Sequence, residues 1–127
     1  MFRKMMCGKI HQAQVTQCDP EYVGSITIDA DLLEATGIRP NEAVHVLDID
    51  NAARFETYVI LGEPGSGIIG VNGAAAHLVE KGHRLIIIAY SLMHRDELDK
   101  HEAQVVVCNE KNEIAERLIY GSELAAQ

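Results

Sequence analysis

The sequence is short of positive charge. Eleven lysines and arginines stand against nineteen acidic residues, a formal net charge of −8, and the basic residues form no cluster. A nucleic-acid binder needs a basic face to neutralise phosphates, so this balance argues against that class, as does the low aromatic content of 5%. An anionic substrate would need its own local positive charge. No apolar run approaches the length of a membrane span, and the opening MFRKMMCGKIHQ lacks the uninterrupted apolar core of a signal peptide. A cytoplasmic protein without membrane association is expected. Cysteine is scarce too: Cys7, Cys18 and Cys108 are odd in number and match no zinc or redox spacing, so buried thiols in a reducing compartment are expected. The histidines are scattered. His77 and His83 share neither face nor ligand spacing, and no metal site is expected.

Repeats, linkers and low-complexity tracts are also missing, and 127 residues suit one domain, 1–127, with one core. What is present is strand signal in short bursts: KIHQAQVT, VGSITI, AVHVLDI, RFETYVIL, GIIGVN, RLIIIAYSLM and AQVVVC, all rich in Val, Ile, Thr and Tyr. AERLIY fits strand or helix. DADLLEATG predicts a helix capped by aspartate and stopped at Gly37. NGAAAHLVEKG predicts a second, with Asn72 as its cap, Lys81 in the last turn and Gly82 past the end. Many short strands with a few short helices predict a mainly β fold, a small closed barrel.

Three stretches bear on chemistry. In PEYVGSITI, Gly24 and Ser25 interrupt a run that otherwise wants to be a strand. Glycine inside a strand marks a bulge, a bend or a close backbone approach, so the pair alone reads as a bent strand end with a solvated hydroxyl. In NAARFETYVI, Arg54, Glu56 and Tyr58 alternate on one face with Phe55 and Thr57 on the other. That describes either an amphipathic strand or an arginine fork for a carboxylate with a hydroxyl beside it. In GVNGAAAHL, the small residues Gly73, Ala74 and Ala75 leave a helix start uncrowded, as a plain capped helix or as an anion site. GSGIIG satisfies the dinucleotide pattern of glycines, but Ile68, Ile69 and Val71 read as a strand where that mechanism needs a helix.

Taken in order and spacing, GKIHQAQVT, YVGSITID, RFETY and VNGAAAH resemble the bacterial aspartate 1-decarboxylase family, over nearly the whole chain and fading after about residue 110. The resemblance implies a double-psi β-barrel, a homotetramer, and a self-cleaving enzyme that makes β-alanine from L-aspartate for pantothenate and coenzyme A. It implies cleavage between Gly24 and Ser25 into chains 1–24 and 25–127, with or without a maturation factor. Ser25 would become a pyruvoyl group that forms a Schiff base with the substrate. By the same resemblance Thr57 donates to the Gly24 carbonyl, Arg54 holds a substrate carboxylate, and Tyr58 returns a proton to the α-carbon. Gly73, Ala74 and Ala75 line the substrate cleft, with Lys9, His11, Tyr22 and Asn72 around the pocket. Lys9 and His11, two apart, fall on one strand face. One departure is the turn before the arginine, Asn51-Ala52 where many members have Asn-Gly; alanine resists the positive φ of a tight primed turn, so a longer or reshaped loop is expected. Two other classes compete: a non-catalytic β-barrel binding module, and a serine hydrolase pairing Ser25 with His11, for which no nucleophile elbow or acid partner is evident. Self-cleavage separates the three.

Overall fold

The computed structural model describes residues 1–124. Its strands are β1 (Phe2–Gln14), β2 (Gln17–Asp19), β3 (Ser25–Asp29), β4 (Ala43–Asp48), β5 (Arg54–Gly62), β6 (Ile69–Asn72), β7 (Arg84–His94), β8 (Glu102–Cys108) and β9 (Ile114–Gly121). One α-helix, α1 (Ala30–Thr36), and two 3-10 helices, Gly73–His77 and Arg95–Lys100, complete the described elements. The strands run in the order β2-β6-β3-β5-β4-β7-β1-β8-β9. β1–β8, β2–β6 and β3–β5 are parallel pairs among antiparallel ones. Just past β1 the sheet bends round on itself: Val15 N–H donates to His83 O at 2.9 Å and Thr16 N–H to Ile69 O at 2.8 Å. The result is the strand-rich, barrel-like architecture that the sequence predicted.

Side-chain alternation builds the interior. Val44, Val46, Leu85 and Ile87 point inward from β4 and β7 and join Ile10, Ile26, Ile28, Val59, Ile69 and Val71, each almost completely buried. β6 is buried at all four positions, which is why GIIGVN reads as a run without polar alternation. Helix α1 follows its local signals. The Asp29 side chain accepts from Asp31 N–H, and Gly37 ends the helix at φ +78° with its N–H on Leu33 O.

Other expectations change. The helix expected after Asn72 shrinks to the 3-10 turn Gly73–His77. Gly73 stands at φ +75°, outside the helical region, and the Asn72 side chain makes no cap bond because it serves elsewhere. Beyond His77 the chain is spent on turn and cross-strand bonds, His83 N–H to Glu80 O and Gly82 N–H to Val15 O. Strand β1 starts at Phe2, well before Lys9, because residues 2–6 form a ribbon with β7 that needs no buried face. AERLIY is an edge strand, β9, mostly exposed and paired with β8 alone. β2 and the Arg95–Lys100 turn, with its His94–Glu97 capping box, escaped the strand and helix patterns.

Candidate active site

Ser25 is the first residue of β3 and completely buried, while Gly24 before it is exposed. The chain therefore dives into the protein at this peptide. The Ser25 hydroxyl is not solvated: it donates to Val23 O at 3.1 Å and accepts from Asn72 Nδ2 at 2.9 Å. Asn72 lies directly across from Ser25 on β6, and its amide also donates to Thr27 Oγ1 at 3.2 Å. Thr27 is a site residue that the sequence reading missed. It lies two positions from Ser25, hence on the same face, and that periodicity was the available signal.

Glycine matters most at position 73, where the fold demands it twice. The positive φ disfavours any side chain, and a Cβ there would stand 2.5 Å from Gly24 Cα and 2.9 Å from Gly24 N. At Gly24 itself a Cβ would meet only Asn72 O, at 4.0 Å. A close backbone approach is that of Gly73 onto the Tyr22–Gly24 backbone, with Ala74 and Ala75 following it in the 3-10 turn. The β3–β5 pairing begins at Ile26 beside Val59, and Thr57 lies two residues before that first paired position on β5, as Gly24 does in the chain entering β3. Tyr22 is exposed, its carbonyl also facing the Gly73 Cα.

A second group of expected residues assembles on the outer face of β5-β4-β7-β1. Cross-strand partners run Arg54–Leu47–Ile86–His11 in one row and Glu56–His45–Ile88–Lys9 in the next, with Tyr58 opposite Ala43. Lys9, His11, Arg54 and Tyr58 thus share one face around half-buried Leu47, Ile86 and Ile88. Arg54 enters no ion pair among the described residues, and with His45, Leu47 and Glu56 it lines a cavity of about 150 Å³. The guanidinium is free to take a carboxylate in two parallel bonds. His11 Nδ1 is buried and has no hydrogen-bond partner. Burial first, then the charges of Lys9 and Arg84, hold this imidazole below its usual pKa, so it is neutral at neutral pH.

The structure therefore gathers the expected residues into two sets. Gly24, Ser25, Asn72 and Gly73 make one; Lys9, His11, Arg54 and Tyr58 make the other, and Thr57 stands next to Tyr58 on the opposite face of β5. No side-chain hydrogen bond or ion pair among the described residues joins the two sets.

Two other sequence features resolve differently. The glycine-rich loop already holds an anion from its own chain: Asp29 accepts from Gly65 N–H at 3.0 Å, Gly67 N–H at 2.8 Å and Asp31 N–H at 2.8 Å. A cavity of about 750 Å³ lies beside this loop, and no residue of either set lines it. No group of three or more metal-ligating side chains occurs among the described residues. Of the three free thiols only Cys108 is buried, and burial pushes its pKa up to about 11; Cys7 and Cys18 are half-buried. The turn before Arg54 runs from Ile49 to Ala53, longer than a two-residue primed turn, yet Ala52 adopts in it, at φ +65°, the positive φ that alanine was expected to resist.

Comparison with known proteins gives a consistent answer. The sequence model of the family described as aspartate decarboxylase matches residues 1–115. An aspartate 1-decarboxylase of Bacillus subtilis (strain 168) is 51% identical over 118 residues, 93% of each chain. One from Listeria welshimeri is 54% identical over 114 residues, 90% of each chain. One from Neisseria meningitidis serogroup C is 50% identical over 120 residues, 94% of each.

Proposed function

The chain belongs to the aspartate decarboxylase family, and from that premise we infer that it removes the α-carboxylate of L-aspartate as CO₂, leaving β-alanine for pantothenate synthesis, by means of a pyruvoyl group made from Ser25. The relatives' names are those of enzymes, so the binding-module reading is not favoured. No helix among the described residues is long and apolar enough to cross a membrane. We place the enzyme in the cytoplasm, where its free thiols would stay reduced.

The observation that carries the pyruvoyl reading is the buried Ser25 hydroxyl, held by Asn72 at 2.9 Å and following directly on Gly24, whose N and Cα Gly73 approaches without a side chain. The residues present fit the group. Asn72 and Thr27 provide polar neighbours, and the packing of Gly73 admits nothing larger. To make it, Ser25 Oγ attacks the Gly24 carbonyl carbon. The hydroxyl proton passes to the Ser25 nitrogen as the C–N bond breaks, and an ester replaces the amide. Loss of the Ser25 α-proton then expels Gly24 as a carboxylate. Water replaces the freed amine, releasing ammonia. By the family resemblance Thr57 is the donor for the oxyanion of the first step.

When present, the group supplies an electrophilic carbonyl for the substrate amine and an electron sink for loss of CO₂. Arg54 binds and orients a carboxylate, while the overall negative charge of the chain leaves other anions unfavoured. Tyr58, on the same face, holds the proton destined for the α-carbon. Small side chains at Gly73, Ala74 and Ala75 leave the cleft open, and Lys9, His11 and Tyr22 border it. We take the enzyme to be a homotetramer whose active sites lie at subunit boundaries, as the family resemblance implies and because so small a barrel encloses a site poorly.

Intact mass spectrometry tests this. The expected products are fragments 1–24 and 25–127, the last three residues of which lie outside the described ones. The larger fragment should be lighter than its serine-ended form by one ammonia. A chain that stays whole after prolonged warming, with any maturation factor supplied, would overturn the reading.

A further inference from the structure

The turn that leads into Arg54 is restrained from two directions. Toward β7, Asp50 takes the Arg84 N–H at 2.7 Å and its guanidinium at 2.9 Å, and Asp48 pairs with His83 at 2.6 Å. Toward the Gly73 loop, the restraint is one side chain. Asn51 Oδ1 accepts Ala53 N–H at 2.8 Å, and Nδ2 donates to Leu78 O at 2.7 Å. Leu78 in turn closes the 3-10 helix through its N–H on Ala75 O at 2.9 Å. Among the described residues, no other side-chain hydrogen bond ties this turn to the segment that begins at Gly73. The turn also needs outside support, since Ala52 holds a left-handed conformation that an alanine leaves readily.

We propose that Asn51 is a positioning residue: by pinning the Arg54 hairpin to Leu78 it fixes the strand end that carries the guanidinium. The proposal rests on the reading of Arg54 as the carboxylate binder. A lost Asn51–Leu78 bond leaves Arg54 chemically intact and shifts the strand end that carries it. The damage should therefore fall on substrate capture.

The test uses Asn51→Asp, which keeps an acceptor for Ala53 N–H and has no donor for Leu78 O, and Asn51→Ser, whose single short hydroxyl cannot span both partners as the two amide atoms do. The neutral serine separates the lost donor from the added charge and stands in if the aspartate variant fails to fold. Rates are normalised to cleaved chain by intact mass. Both variants should raise KM for L-aspartate about two- to tenfold, the equivalent of one net hydrogen bond, with kcat nearly unchanged. In an Arg54→Gln background the same changes should raise KM no further, because their effect runs through the arginine. Succinate, a dicarboxylate without the amine, should raise the melting temperature of the wild type and do so less in the Asn51 variants. Additive effects on KM would overturn the proposal as generic loosening. Unchanged KM in the Asn51 variants beside a raised KM in Arg54→Gln would overturn it and leave the Arg54 reading standing. An Arg54→Gln enzyme of normal KM would overturn both.

Discussion

Replacing Gly73 by alanine should damage the protein through a single atom. The new Cβ would lie 2.5 Å from Gly24 Cα, whereas carbon atoms rest at about 3.5–4.0 Å, so the loop or the Gly24–Ser25 peptide must move by roughly 1 Å. Overpacking of this kind costs about 1–3 kcal/mol. The left-handed φ of +75° adds about 1–2 kcal/mol for a residue with a side chain. Together these come to about 2–5 kcal/mol, a fall in melting temperature on the order of 10 °C for a domain of this size. The chemistry should suffer more. A displacement of about 1 Å at reacting groups can cost roughly 10²-fold in rate, and here the displaced atoms flank the bond to be cut. A time course of intact mass on freshly purified protein reads cleavage, and calorimetry reads stability. Gly24→Ala is the control for stability: its Cβ has 4.0 Å of clearance and its φ is not positive, so it should melt near the wild type. A Gly73→Ala chain that cleaves and melts like the wild type would refute the argument that the Gly73 approach shapes the cleavage site.

Thr57→Val should leave the fold intact and slow self-cleavage by about 10²–10³, the usual loss for one oxyanion donor; cleavage at the wild-type rate would remove Thr57 from the mechanism. Tyr58→Phe, once shown to be fully cleaved, should bind aspartate normally and form β-alanine slowly, losing activity as it turns over; normal production would assign the proton to another group. The Asp48 carboxylate holds His83 above its ordinary pKa. The stability from this pair should be complete below about pH 6.5, the free-histidine value, and drain away as pH rises through the raised folded value. Melting curves of the wild type and His83→Asn should therefore differ most in mild acid and converge in base, and a difference independent of pH would contradict the pairing. Ala52→Gly should stabilise by about 0.5–1 kcal/mol, since relief of the left-handed conformation exceeds the added chain entropy; a lower denaturation midpoint would show that the turn tolerates alanine for another reason.

Much of this protein is written in local terms. Helix α1 needs only Asp29 ahead of it and Gly37 behind, groups that satisfy its own ends, so its limits are legible in nine letters. The strand bursts around Ile26, Val44, Ile69 and Ile87 announce themselves because β-branched residues suit a buried pleated surface. The Gly24-Ser25 pair, Arg54 and the NGAAA run stood out for the same reason: their meaning begins in residue type and spacing. Other features depend on what lies across space. Asn72 carries every mark of a helix cap, yet its amide goes to Ser25 and Thr27 because β6 pairs with β3 there. The demand for glycine at position 73 is of this kind, since only the assembled fold brings it onto Gly24. GSGIIG looks made for a phosphate, and the fold fills it with the Asp29 carboxylate. Lys9, His11, Arg54 and Tyr58 come to share a face through pairings spanning β1, β7, β4 and β5. Period-two alternation assigns each residue to a side of its own strand. Which strands lie next to one another, and hence which side chains meet, is decided by hydrogen bonds between segments far apart in the chain.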